Sequence, residues 1–172
     1  MTRTALLIAA ASALAISAPA AAAGPTDPQI AHIAYTAGNI DIAAAKQALK
    51  TSHNTAVRAF AQEMIRDHQA VNDKALALVK SLHVTPEANP TSASLTKAAN
   101  AELTKLSHLK GAAFDREYVN NEVAFHKTVD DALASTLIPS AKNAQLKSLL
   151  QTGLTLFKEH LGHAEQLAAK LK

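Results

Sequence analysis

Residues 54–82 read NTAVRAFAQEMIRDHQAVNDKALALVKSL, and this stretch decides the fold. Val57, Ala61, Met64, His68, Val71, Ala75, Leu78 and Leu82 recur at alternating steps of four and three. Such spacing lays one apolar stripe along a helix, the periodicity of helices packed lengthwise in a bundle. One member of the stripe is out of character. His68 sits near the middle of the helix, where the pattern calls for a leucine.

The rest of the chain follows the same plan. A first helix is expected from Asp27, as cap, with Pro28 in its first turn, to about Leu49. Gly38 inside it costs up to ~1 kcal/mol relative to Ala, so close packing is expected there. After the loop VTPEANP (residues 84–90), a shorter helix is expected over Ser94 to Leu109, ending before Gly111. At ~1.5 Å per residue it covers roughly 24 Å, enough for a crossover along a bundle. The next long helix spans Ala113 to Leu137, with Phe114, Tyr118, Val119, Val129, Leu133 and Leu137 inward, and Pro139 ends it. The last runs from Ala141 to Leu171 through Leu146, Leu149, Gly153, Leu156, His160, Leu167 and Leu171. Ala, Leu, Lys and Gln dominate, which favours an all-α domain. Two long helices, a crossover and two more long helices give a ferritin-like four-helix bundle with an additional short crossover helix. A plain up-down bundle is the other arrangement compatible with these segments.

The first residues have a different character. Met1 to Arg3 carries one positive side chain, an Ala-rich uncharged run extends to about Ser17, and small residues fill Ala18 to Ala23. This is the pattern of a secretory signal peptide, residues 1–23, with cleavage expected after Ala23 or, alternatively, after Ala20. Its apolar run is shorter than the ~20 residues needed to span a bilayer. Residues 24–172 then form the bundle domain, periplasmic or secreted, with no membrane insertion after cleavage.

About 150 residues suffice for one domain with a sizeable core. Without Arg3 the remaining basic residues of the original 17 stand against 14 acidic ones, for a formal charge near +2. Charges are interspersed and aromatics are few, which argues against nucleic-acid binding. The absence of cysteine excludes disulfides, thiolate metal sites and Cys nucleophiles, and it excludes a lipoprotein anchor. A monomer or homodimer is expected.

Chemistry is concentrated in three histidines. His68, His126 and His160 each fall on the apolar stripe of a different long helix, near its middle. In a bundle with matched ends they share one level. Asp41, central in the first helix, and Glu122, one turn before His126, lie at the same level and can add carboxylate ligands. Neutral imidazole is the commonest metal ligand, and imidazole-rich sites suit Cu, Zn, Ni or Fe better than Mg or Ca. The structural alternative is a hydrogen-bonded core network, since every buried polar group needs a partner. Met64 reads as core filler. Asp67 points about 100° away from His68 and is expected to pair with a cation or brace a neighbour. His32, His53, His83 and His108 fall near helix ends or loops and are expected in solvent, whereas His163 is either a rim ligand or a surface residue.

Several segments carry a resemblance. FAQEMIRDH (Phe60–His68), GAAFDREY (Gly111–Tyr118), EVAFH (Glu122–His126) and KEHL (Lys158–Leu161) resemble the signatures of the domain of unknown function 4142 family. The resemblance covers almost all of the chain after residue 23. It implies a ferritin-like bundle and a bacterial envelope location, without an assigned activity. Asp41 stands where that family usually has Glu. The di-iron pattern of ferritin-like proteins needs Glu three residues before His on two helices, but Ile65, Val123 and Phe157 occupy those positions. Asp115 in the second segment is expected to serve the helix N-terminus through the dipole, while Phe114 and Tyr118 plug the bundle end.

Three functions are compatible with these residues. The first is a metal-binding protein for storage, buffering or stress protection, using His68, His126 and His160 with Asp41 or Glu122. The second is a non-catalytic envelope module that binds a protein partner, in which the histidines are structural. The third, ranked last, is a metal-dependent oxidoreductase with the same ligands and an open coordination position. No catalytic residue or organic cofactor is assigned.

Overall fold

Asparagine starts three of the helices, each time by the same chemistry. The Asn54 side chain accepts from the amides of Ala56 and Val57 at 2.9 and 3.2 Å. Asn143 does the same for Gln145 and Leu146 at 2.9 and 3.0 Å. Asn89 accepts from the Ser92 amide at 3.1 Å while Ser92 Oγ accepts from the Asn89 amide at 3.1 Å. Each satisfies amides that a helix start otherwise leaves unpaired. The structure, a computed structural model, describes residues 24–171, so the segment read as a signal peptide lies outside the described residues. The helices are α1 (Asp27–Thr51), α2 (Thr55–Ser81), α3 (Pro90–Ser107), α4 (Gly111–Ala132) and α5 (Ala144–Lys170). A π-helical turn, Leu133–Leu137, and a short helical turn, Ile138–Ser140, continue α4.

The protein is an all-α, ferritin-like four-helix bundle with α3 as its crossover. Helix α1 packs on α2, α4 on α5, α2 on α5 and α1 on α4, which closes the ring, while α3 lies against α1 and α4. Among the described residues, no helix is long and apolar enough to cross a membrane.

Three local expectations are corrected. Thr26, not Asp27, caps α1, and its amide donates to Gln29 Oε1 at 3.1 Å. The Asp27 carboxylate instead accepts from the amides of Lys142 and Asn143, both at 2.8 Å, pinning the loop before α5. The crossover begins at Pro90 rather than Ser94, because the Asn89–Ser92 capping box and proline at the first position start it. Pro139 does not end the fourth helix at Leu137. Proline lacks an amide and crowds the carbonyl four residues back. The chain avoids that clash by widening, with the Ile138 amide reaching Leu133 O five residues back, and helix continues to Ser140.

The buried stripes also differ from those expected. In α2, Asn72 and Val79 are buried while Val71, Ala75 and Leu78 are only half-buried. In α5, Leu150 and Phe157 take the inner places expected for Leu149 and Leu156. In α2 the buried line moves on by one residue after His68, as a straight helix that advances ~20° per heptad allows, whereas α5 keeps an unbroken four–three repeat through Leu146, Leu150, Gly153, Phe157, His160, Ala164 and Leu167. Two apolar clusters result. One, near the α1–α2 turn, is centred on Phe60, Met64, Leu106, Phe114 and Tyr118. The other, at the opposite end, holds Ile30, Ile33, Leu133, Leu137, Leu150 and Phe157. Between them lies a layer of buried polar side chains.

Candidate metal centre

The layer is built from four helices. α1 contributes Asp41, α2 His68, α4 Glu122 and His126, and α5 His160, all at most 3% exposed. The ring centroids of His68, His126 and His160 are 5.7, 5.3 and 5.6 Å apart. One nitrogen from each comes within 4.8 Å of the others, as do ligand atoms of Asp41, Glu122 and His126. The structure thus brings together all five residues singled out from the sequence.

The orientation of each ring is informative. His126 Nδ1 lies 3.0 Å from the Glu122 carbonyl oxygen, which fixes Nδ1 as the protonated nitrogen and leaves Nε2 bare. His160 Nε2 lies 3.2 Å from Asp67 Oδ2, leaving Nδ1 bare. Arg66 in turn holds Asp67 with two hydrogen bonds, at 2.7 and 2.8 Å. His68 has no hydrogen bond on either nitrogen, although its Nε2 is 3.5 Å from Asp41 Oδ2. So three buried rings each keep at least one nitrogen without a partner. Metal-binding histidines typically donate their second N–H to a carboxylate or backbone carbonyl, the arrangement seen here for His126 and His160.

Electrostatics keep the imidazoles neutral. Burial, then the neighbouring His126 and His160, hold the His68 pKa well below the usual imidazole value. Burial pushes His126 down to about 4. It also lowers His160, against the opposing pull of Asp67. Neutral imidazole has a lone pair to give to a metal. Burial raises the pKa values of both Asp41 and Glu122, whose carboxyl oxygens lie within 4.8 Å of one another, with both Glu122 oxygens unpartnered. Two carboxylates this close cannot both ionise in a dry interior, so the pair keeps at least one proton at neutral pH.

Other expected residues fall into place around this layer. Asp67 both pairs with Arg66 and braces His160. His163 is 45% exposed at its side chain and pairs with Glu63 Oε2 at 2.7 Å, so it is a rim residue. His53, His83 and His108 are exposed, but His32 is half-buried, with Nδ1 3.4 Å from Thr36 Oγ1. Phe114 and Tyr118 stack at 6.2 Å. Asp115 is buried one turn inside α4, with Oδ1 unpartnered. Two residues were not anticipated. Phe157 stacks on His68 with centroids 4.7 Å apart and planes 14° apart. The four–three spacing of Leu146, Leu150, Gly153, Phe157 and His160 is the signal that places it inward. Asp130 is buried at 6% exposure, and nothing in the apolar pattern marks it.

The family described as Domain of unknown function (DUF4142) matches residues 11–167. No curated protein matches the chain. A solved structure described as "putative secreted protein DUF305" from Streptomyces coelicolor is similar at a TM-score of 0.69 and 10% identity, over 83% of this chain and 91% of that one. At that identity the likeness concerns the fold alone.

Proposed function

This chain belongs to the domain of unknown function 4142 family, which brings no activity with it, and from the site itself we propose that it binds a single transition-metal ion through His68, His126 and His160. The carrying observation is that three neutral, buried imidazoles bring one nitrogen each within 4.8 Å of the others, and each ring keeps at least one nitrogen without a hydrogen-bond partner. A buried polar atom without a partner costs ~1–3 kcal/mol, and a metal removes that cost for all three at once. Zinc–imidazole bonds of about 2.0–2.1 Å require ring nitrogens roughly 3–4 Å apart, so the rings close slightly on binding. Asp41 or Glu122 supplies a fourth ligand, giving up its proton as it does so. The donor set suits Cu, Zn, Ni or Fe. Ile65, Val123 and Phe157 in place of glutamates argue against a di-iron oxidase. The role is storage, buffering or stress protection in the bacterial envelope, reached by the signal peptide expected in residues 1–23.

Thermal melting with each metal and with chelator tests this. A metal stabilises only the state that binds it; about 100-fold over Kd it adds about 2.7 kcal/mol, several degrees in Tm for a domain of this size. His126→Ala should lose most of that rise and keep its helical spectrum. His53→Ala, at an exposed turn, should keep it. Identical curves for wild type under every condition would overturn the proposal in favour of a non-catalytic envelope module.

A further inference from the structure

The apolar cluster around Leu137 and Leu150 does not fill the space between its helices. A cavity of about 540 Å³ lies there, walled by Ile33, Val71, Val79, Leu137, Leu150 and Phe157 among others. Protein interiors leave few voids larger than a water molecule. A cavity of roughly 150 Å³ already admits benzene, and ligand sites run to about 300–1,000 Å³ with mostly apolar walls.

The walls specify the chemistry of the occupant. No charged side chain lines the cavity. Most of its polar residues are engaged elsewhere: Gln29 accepts from Thr26 N, Asn89 donates to Gln29 O and accepts from Ser92 N, Thr128 donates to Ala124 O, and Thr136 Oγ1 lies 3.4 Å from Ser135 Oγ, which leaves Thr91. Ordered water needs two to four polar partners, and these walls leave few to offer. Gln29, Asn89 and Thr91 gather where α1 and α3 begin, which sets the wet end of the cavity. The opposite end is closed by Phe157, whose far face is stacked on His68.

We propose that this cavity is a binding site for a small uncharged molecule with a hydrocarbon body, entering where α1 and α3 begin and ending against Phe157. Dispersion and burial of its chain hold it; no ionic or hydrogen-bonding anchor is required. The site stands independently of the metal reading.

Uptake of N-phenylnaphthylamine by the purified protein, followed by fluorescence, tests the proposal. Wild type should bind the probe, and alkanols should displace it. Affinity should rise roughly fourfold per methylene from hexanol and then level off once the chain outgrows the cavity. Ala75→Phe and Ala132→Phe fill the cavity from α2 and from α4. Each should weaken uptake by roughly tenfold or more without loss of thermal stability. Leu76→Ser removes an exposed apolar side chain and should change nothing. Transfer of a fluorescent acyl chain from phosphatidylcholine vesicles would identify a membrane lipid as the source, and displacement by free alkanol alone a soluble ligand. No uptake by wild type, or uptake that survives both filling variants, would overturn the proposal.

Discussion

Asp130 shows how one residue can set the pH response of a fold. It is buried on α4 with both carboxylate oxygens unpartnered, and burial lifts its pKa from 3.8 to about 6 against the pull of Lys158. Between those two values the folded chain binds more protons than the unfolded one. The contribution of this residue to stability is therefore complete below about pH 4 and is lost as pH rises through 6. Asp130→Asn removes the charge and keeps the shape. The variant and wild type should melt together at pH about 4, and at pH about 7 the variant should be more stable by about 1 kcal/mol, allowing for solvent screening. A less stable variant at neutral pH would mean that Lys158 holds the ionised carboxylate in place. Asp130 could not be picked out from apolar periodicity, because, unlike Asp41 and Glu122, it lies away from the level of the three histidines. The histidines escaped this blindness because they interrupt the stripe itself.

The helices were legible because their signals are local: spacing of apolar residues, prolines at starts, glycine after α3. What required the folded structure was contact between elements. Gly38 was expected to allow close packing, and it does: a Cβ there would collide with the Asn72 side-chain amide. Its partner could not be named in advance, since Asn72 lies on α2 and donates to Asn39 Oδ1 at 3.1 Å. Gly38→Ala should therefore be destabilising by about 1 kcal/mol, as displacement of the buried amide outweighs the gain in helix propensity. In an Asn72→Ala background the same change should be stabilising. Equal effects in both backgrounds, measured by a denaturant double-mutant cycle, would rule out this contact as the reason for the glycine. Asp27 makes a similar point. Its sequence position suggested a cap for its own helix, but its oxygens hold the loop before α5. Asp27→Ala should cost about 1–2 kcal/mol and speed hydrogen exchange at the Lys142 and Asn143 amides; unchanged exchange there would show that the loop is held by other contacts.

At the scale of the whole molecule, two apolar clusters are separated by a polar layer that weakens the bundle unless something occupies it. Convergence of the three rings was legible, because each histidine lay near the middle of its helix and a closed bundle aligns those middles. The tautomers were not, because they depend on Asp67, a neighbour brought in from the side of α2, and on the Glu122 carbonyl. His68 is the most telling of the three: it is 2% exposed, has no hydrogen bond on either nitrogen, and packs face to face on Phe157. His68→Leu breaks no hydrogen bond and extends the apolar contact with that ring. If the layer is kept for a metal, stability without metal and capacity for metal must oppose one another at this position. The variant should then be more stable than wild type by ~1–3 kcal/mol in chelator, and should lose most of the metal-dependent rise in Tm. Chemical denaturation in chelator, paired with melting in added zinc or copper, reads both quantities on the same protein. A loss of stability in chelator would instead make His68 a structural member of the core, which is the behaviour expected of a non-catalytic module.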